Sequence, residues 1–152
     1  MSRRARLEGA LERVGLRLHE ALYVGTGGLV GHRAIGVPSL LLTTAGRRSG
    51  RRRVCALIYA RDGDELVLVG SNHGEDRDPG WVHNVRADAR VGVQVGRRRA
   101  AGRARVVESG DPDYGRLWAL VDGNNHGRYA RYQERTSRPI PLVVVTLDAP
   151  PV

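Results

Sequence analysis

Arg53–Ala60 and Glu65–Gly70 are apolar, β-branched runs separated by Asp62-Gly63, a dipeptide that favours a two-residue hairpin because glycine takes the positive φ such turns need. A hairpin here commits both runs to antiparallel pairing, and the rest of the chain continues in kind. Ser39–Thr44 precedes them, and Val91–Val95 alternates with period two. Arg103–Val107 joins it through the Gly96–Gly102 turn region, and Leu142–Leu147 ends the series. Six short runs, several in hairpins and without βαβ alternation, exclude a doubly wound parallel sheet and predict an α+β domain. Six strands can close into a small barrel, which removes exposed edges.

Three helical segments interrupt or precede this series. Leu7, Leu11, Val14, Leu18 and Leu22 form a helical stripe, with Arg3, Arg6, Arg13 and Arg17 off it. Such a helix either packs on the domain or lies on an anionic membrane surface, although Glu8, Glu12 and Glu20 dilute its basic face. Gly25–Gly31 is a glycine-rich loop that neither follows a strand nor has GxGxxG spacing, which excludes a dinucleotide fingerprint. The expected organisation is an N-terminal helix and loop over 1–32 and a barrel over 33–152. Pro79 begins a second helix reaching about Ala87, with Asp78 as its N-cap. Asp111-Pro112 opens a third, with Leu117, Trp118 and Val121 on its apolar side.

Charge narrows the class of partner. The 152 residues carry 25 basic side chains, all arginine, against 16 acidic ones, for a net charge of +9. That excess attracts anions, whether nucleic acid, acidic lipid or a polyanionic small molecule. Cys55 is the only cysteine, so an intrachain disulfide and a multi-thiolate zinc site are excluded. No metal site is expected, and the reducing cytoplasm is the expected compartment, with a peripheral membrane contact open to the first helix. No apolar run is long enough to span a bilayer.

Three clusters can carry chemistry. Thr43–Arg53 places five arginines, Ser49, Gly46 and Gly50 between two strands, where backbone N–H groups and guanidinium forks can converge on phosphate or carboxylate oxygens. A solvated charge run is the competing reading, and it suits Arg97–Arg99, which has no accompanying hydroxyl. Gly70-Ser-Asn-His73 is followed by Pro79–Asn84, in which Trp81 and Asn84 share a helix face and suit a planar ligand or the core. His126, Tyr129 and Tyr132 are spaced along one helical face and suit a pocket wall. No serine–histidine–acid order or paired carboxylates suggest hydrolysis.

The order Leu40–Gly50, Arg53, Ser71, Pro79-x-Trp81-x-x-Asn84, Tyr129-x-x-Tyr132 and Ile140-Pro141 resembles the deazaflavin-dependent nitroreductase and quinone reductase family, which uses coenzyme F420. The resemblance implies a six-stranded, mainly antiparallel split β-barrel related to FMN-binding domains. It implies that Arg47, Arg48, Ser49 and Arg53 hold the coenzyme's phosphate and glutamyl tail, and that Val54, Cys55, Ala56 and Leu57 run along it. Val69, Gly70, Ser71 and Asn72, with Gly80, Trp81, Val82, His83 and Asn84, then lie beside the ring. Tyr129 closes the ring pocket, while Tyr132, His126 and Ser71 face a small-molecule acceptor; His126 stands where the family often has tyrosine. The implied reaction is hydride transfer to a quinone or nitro compound, by a monomer or homodimer. A split barrel binding FMN or haem, and a nucleic-acid module using the arginines, are the competing readings.

Overall fold

The computed structural model describes residues 33–34 and 36–149. The N-terminal helix and the glycine-rich loop expected over 1–32 lie outside the described residues.

The strands are β1 (Arg33–Ala34), β2 (Val37–Ala45), β3 (Arg52–Asp62), β4 (Glu65–Val69), β5 (Arg90–Val95), β6 (Arg98–Val107) and β7 (Leu142–Leu147). All six expected strands form, and the two-residue β1 is added at the edge of β2. The sheet order is β1-β2-β3-β4-β7-β6-β5, with every pair antiparallel. β5 also pairs with β2, Leu41 opposite Gln94 and Thr43 opposite Gly92, and this closes six strands into a barrel.

Two apolar clusters share the strands between them. Leu40, Leu42, Tyr59, Leu66, Leu68, Val91, Val93, Ala104, Val143 and Val145 come from all six barrel strands and fill its interior. Val67, Val69, Leu142 and Val144 point the other way and pack under helix α2 (Tyr114–Asn124) and helix α3 (Arg128–Gln133). β4 and β7 are thus covered on both faces, which explains why they read as unbroken apolar runs while β5 alternates. Helix α1 (Gly80–Ala87) contributes Val82 and Val85 to the barrel cluster.

The turns are local, and two of them differ in extent from the expected ones. Asp62 pairs with Glu65, so the β3–β4 turn is Gly63-Asp64, with Gly63 at φ 60°. Val95 pairs with Arg98, so the β5–β6 turn is Gly96-Arg97, and Arg98–Gly102 is strand, not turn. Gly102 is a close-approach position instead: a Cβ there would lie 2.6 Å from the Thr146 carbonyl oxygen on β7. Because that obstacle is backbone, Gly102→Ala is expected to destabilise the fold by about 1–3 kcal/mol in chemical denaturation. An unchanged midpoint would show that β6 and β7 can separate without loss.

Helix starts also differ. Pro79 occupies the N-cap position of α1, and Asp78 does not cap it. Its carboxylate instead accepts from Arg86 at 2.7 Å and from Arg138 at 2.8 Å. The helix expected from Asp111 begins at Tyr114, after a turn in which the Asp113 N–H donates to the Asp111 carboxylate at 2.9 Å. Leu117 and Val121 are buried as expected, while Trp118 is half-buried and stacks on Tyr114. No helix among the described residues is long and apolar enough to cross a membrane.

Candidate functional site

The site begins with the β2–β3 connection. Gly46 N–H donates to Arg51 O at 2.8 Å and Gly50 N–H to Gly46 O at 2.7 Å, which folds the arginine run into a compact turn. A Cβ at Gly46 would meet Ser49 Oγ at 2.9 Å and Arg51 O at 3.3 Å, so a side chain there would crowd the turn. Asn84, on α1, fastens this turn to the barrel. Its Oδ1 accepts the Arg47 N–H at 3.0 Å and its Nδ2 donates to Thr44 Oγ1 at 3.1 Å. Asn84 is 8% exposed, so the amide that suited a ligand's edge is committed to the protein. The side chains of Arg47, Arg48 and Arg53 are exposed and have no acidic partner among the described residues.

Two adjoining cavities open beside this turn. The smaller, about 410 Å³, is lined by Arg47, Arg48, Ser49, Arg53, Val54, Cys55 and Asn84. The larger, about 670 Å³, is lined by Cys55, Ala56, Leu57, Val69, Ser71, Asn72, His83, Tyr129 and Tyr132 among others. Arg47, Cys55, Gly80 and Trp81 border both, so the two form one groove running from basic to aromatic surroundings. Arg97, Arg98 and Arg99 border neither.

The far wall of the larger cavity is a turn under strain. Asn72, His73 and Gly74 follow one another at φ 44°, 56° and 77°. Left-handed backbone is costly for histidine, so the surroundings must hold it. Arg138 does much of this. Its guanidinium donates to Glu75 O at 2.7 Å, Ser71 O at 2.8 Å, Gly70 O at 3.2 Å and the Asp78 carboxylate at 2.8 Å. The His73 ring meets Tyr132 edge-on at 5.7 Å, and Tyr132 meets Tyr129 at 6.3 Å. Burial pushes the Tyr129 phenol well above its ordinary value, so it holds its proton through the neutral range.

Three of the expected site residues are not brought to the groove. Gly70 donates its N–H to Pro141 O at 2.8 Å, and Val82 is wholly buried in the barrel cluster. His126 lies before α3 at φ 55°, exposed and outside the cavity lining, so it does not continue the face of Tyr129 and Tyr132. Left-handed backbone at His126 and Gly127 breaks the helical spacing that the sequence suggested. Conversely, Asn125, Arg128 and Asp78 border the larger cavity without having been singled out as ligand contacts. Asn125 ends a helix, and only the packing of α3 against α2 turns it inward.

The family model for F420H(2)-dependent quinone reductases matches residues 15–147. The chain belongs to that family. It is therefore an F420-dependent reductase. It is 52% identical, over 132 residues, to an F420H(2)-dependent quinone reductase of Mycobacterium tuberculosis, with 86% of this chain and 89% of that one covered. A solved F420H2-dependent reductase aligns with TM-score 0.63 and 31% identity, covering 74% of this chain and 99% of the other. A structure described as a domain-swapped dimer aligns with TM-score 0.65 and 28% identity, over 95% and 99% of the two chains. The split-barrel expectation is met. The groove also fits the coenzyme on its own chemistry. Exposed arginines without acidic partners, beside the Ser49 hydroxyl, suit an acidic tail. Trp81 and the tyrosines suit a planar ring.

Proposed function

We propose that the protein transfers a hydride from reduced F420 to a quinone-like acceptor bound in the larger cavity. The observation that carries this reading is the continuity of the groove from the Arg47–Arg53 turn to the Tyr129–Tyr132 wall through Cys55, Gly80 and Trp81. When bound, the reduced deazaflavin supplies two electrons and a proton as hydride, and the acceptor takes a further proton to become the hydroquinone. Arg47, Arg48, Ser49 and Arg53 hold the anionic tail. Val54–Leu57, along β3, and Gly80-Trp81, at the start of α1, border the ring.

The remaining residues act on the acceptor. Ser71, Tyr129 and Tyr132 are donors at the aromatic end, where negative charge develops on the acceptor oxygen as it is reduced. His126, exposed beyond the wall, has no part in this reading.

Titration with F420 and with FMN tests the proposal. F420 is expected to bind more tightly, because its longer and more anionic tail meets more of the arginine turn, and added salt should weaken it. Oxidation of F420H2 by menadione should follow. Equal or better affinity for FMN would refute the coenzyme assignment within the groove.

A further inference from the structure

Asn125 closes the C-terminal end of α2 and is 3% exposed. Its backbone is fully engaged: its N–H donates to Val121 O and Asp122 O at 3.1 and 3.2 Å, and its carbonyl accepts from the Arg128 N–H at 3.2 Å. Its side-chain nitrogen, Nδ2, is enclosed and makes no hydrogen bond. A buried amide donor without a partner destabilises a fold, and an apolar side chain of the same shape would not. Nothing in the local backbone requires the amide, which points to a task at the cavity that Asn125 borders.

The neighbour that gives it one is Tyr129. Asn125 and Tyr129 line the same cavity, one at the end of α2 and the other in the first turn of α3, and the amide favours the charged form of the phenol, although burial dominates and keeps it protonated. Asn125 Nδ2 makes no hydrogen bond to the phenolic oxygen. Catalytic hydrogen bonds commonly tighten only when substrate is in place.

We propose that Asn125 is a positioning residue that acts through Tyr129: its amide donates to the phenolic oxygen and so directs the Tyr129 O–H onto the oxygen of a quinone-like acceptor in the larger cavity. This rests on the hydride-transfer reading above. An amide NH2 can only donate, so the phenolic oxygen becomes its acceptor and the phenol's own proton is left for a second partner. A hydroxyl oriented in advance needs no reorganisation as charge builds on the acceptor oxygen. Without Asn125, nothing selects between the two in-plane orientations of that hydroxyl.

The test compares wild type, Asn125→Leu, Tyr129→Phe and the double variant, each for thermal midpoint, F420 affinity and menadione turnover. Asn125→Leu is expected to keep or raise the midpoint, leave F420 affinity and the menadione KM within about threefold, and lower kcat about 10- to 100-fold. In the Tyr129→Phe background, the same change should alter kcat by less than about twofold. Unchanged kcat in the single variant, or equal losses in both backgrounds, would overturn the proposal. So would a midpoint lowered by several degrees, since the amide would then be holding the fold. The thermal comparison needs no turnover. A wild-type protein that failed to oxidise F420H2 would instead refute the hydride-transfer reading, and the assignment with it.

Discussion

Arg48→Glu is expected to weaken F420 binding about 100-fold or more, whereas Arg98→Glu should change it by no more than about threefold. Both arginines are exposed, so burial does not separate them. Position does. Arg48 borders the smaller cavity beside Arg47, Ser49 and Arg53, in a turn pinned by Asn84. Arg98 opens β6 after the Gly96-Arg97 turn and borders neither cavity. Replacing Arg48 removes a charge-assisted contact worth about 1.5–3 kcal/mol and sets a carboxylate against an acidic tail. At Arg98 the new charge is screened over roughly 8 Å at physiological ionic strength. Affinity for a generic duplex supplies the control. A nucleic-acid protein would lose duplex affinity in both variants, each reducing the salt slope by about one. Equal losses of F420 binding would show that the anion cradle lies elsewhere.

Arg138→Met should be the most damaging single change to the site wall, lowering stability by about 3–5 kcal/mol in guanidinium chloride denaturation. Arg138 is 15% exposed at the side chain and its partner Asp78 is 16% exposed, so the pair is largely withdrawn from water. Three backbone carbonyls, Gly70, Ser71 and Glu75, would lose the guanidinium with it, Ser71 O keeping only the Gly74 N–H at 2.8 Å. Asp78 would keep Arg86 at 2.7 Å, and Arg86 its second partner Glu108 at 2.8 Å, which limits the loss to the inner half of the network. Coenzyme affinity should fall as well, because the turn that Arg138 holds supplies Ser71 and Asn72 to the cavity. A loss below about 1 kcal/mol would mean that water substitutes for the guanidinium.

Much of the barrel is legible in the chain because its signals are local. Alternation in Val91–Val95, the glycines at 63 and 96, and the two-sided apolar runs of β4 and β7 each act over a few residues, and local sterics and burial decide them. The order of the hairpins and the presence of an arginine-rich turn between β2 and β3 follow directly. Motif order was enough to identify the family, whereas which motif residues reach the groove was not legible: Gly70 and Val82 pack inward, and His126 is exposed outside the cavity lining.

Tertiary structure alone decided the rest. The closure of β5 on β2 joins residues about fifty positions apart, and nothing in either strand names its partner. Gly102 reads as a turn glycine until β7 is laid against it. Asn84 carries the same amide whether it meets a ligand or pins Thr44 and Arg47, and only packing of α1 on β2 settles which. Arg138 is one of 25 arginines until the fold brings it under carbonyls more than sixty residues earlier. Asn125 becomes a cavity residue only because α3 folds back on α2. Elements are set by short-range sterics and burial, but the partners of polar side chains are set by contacts distant in sequence, which no local pattern encodes.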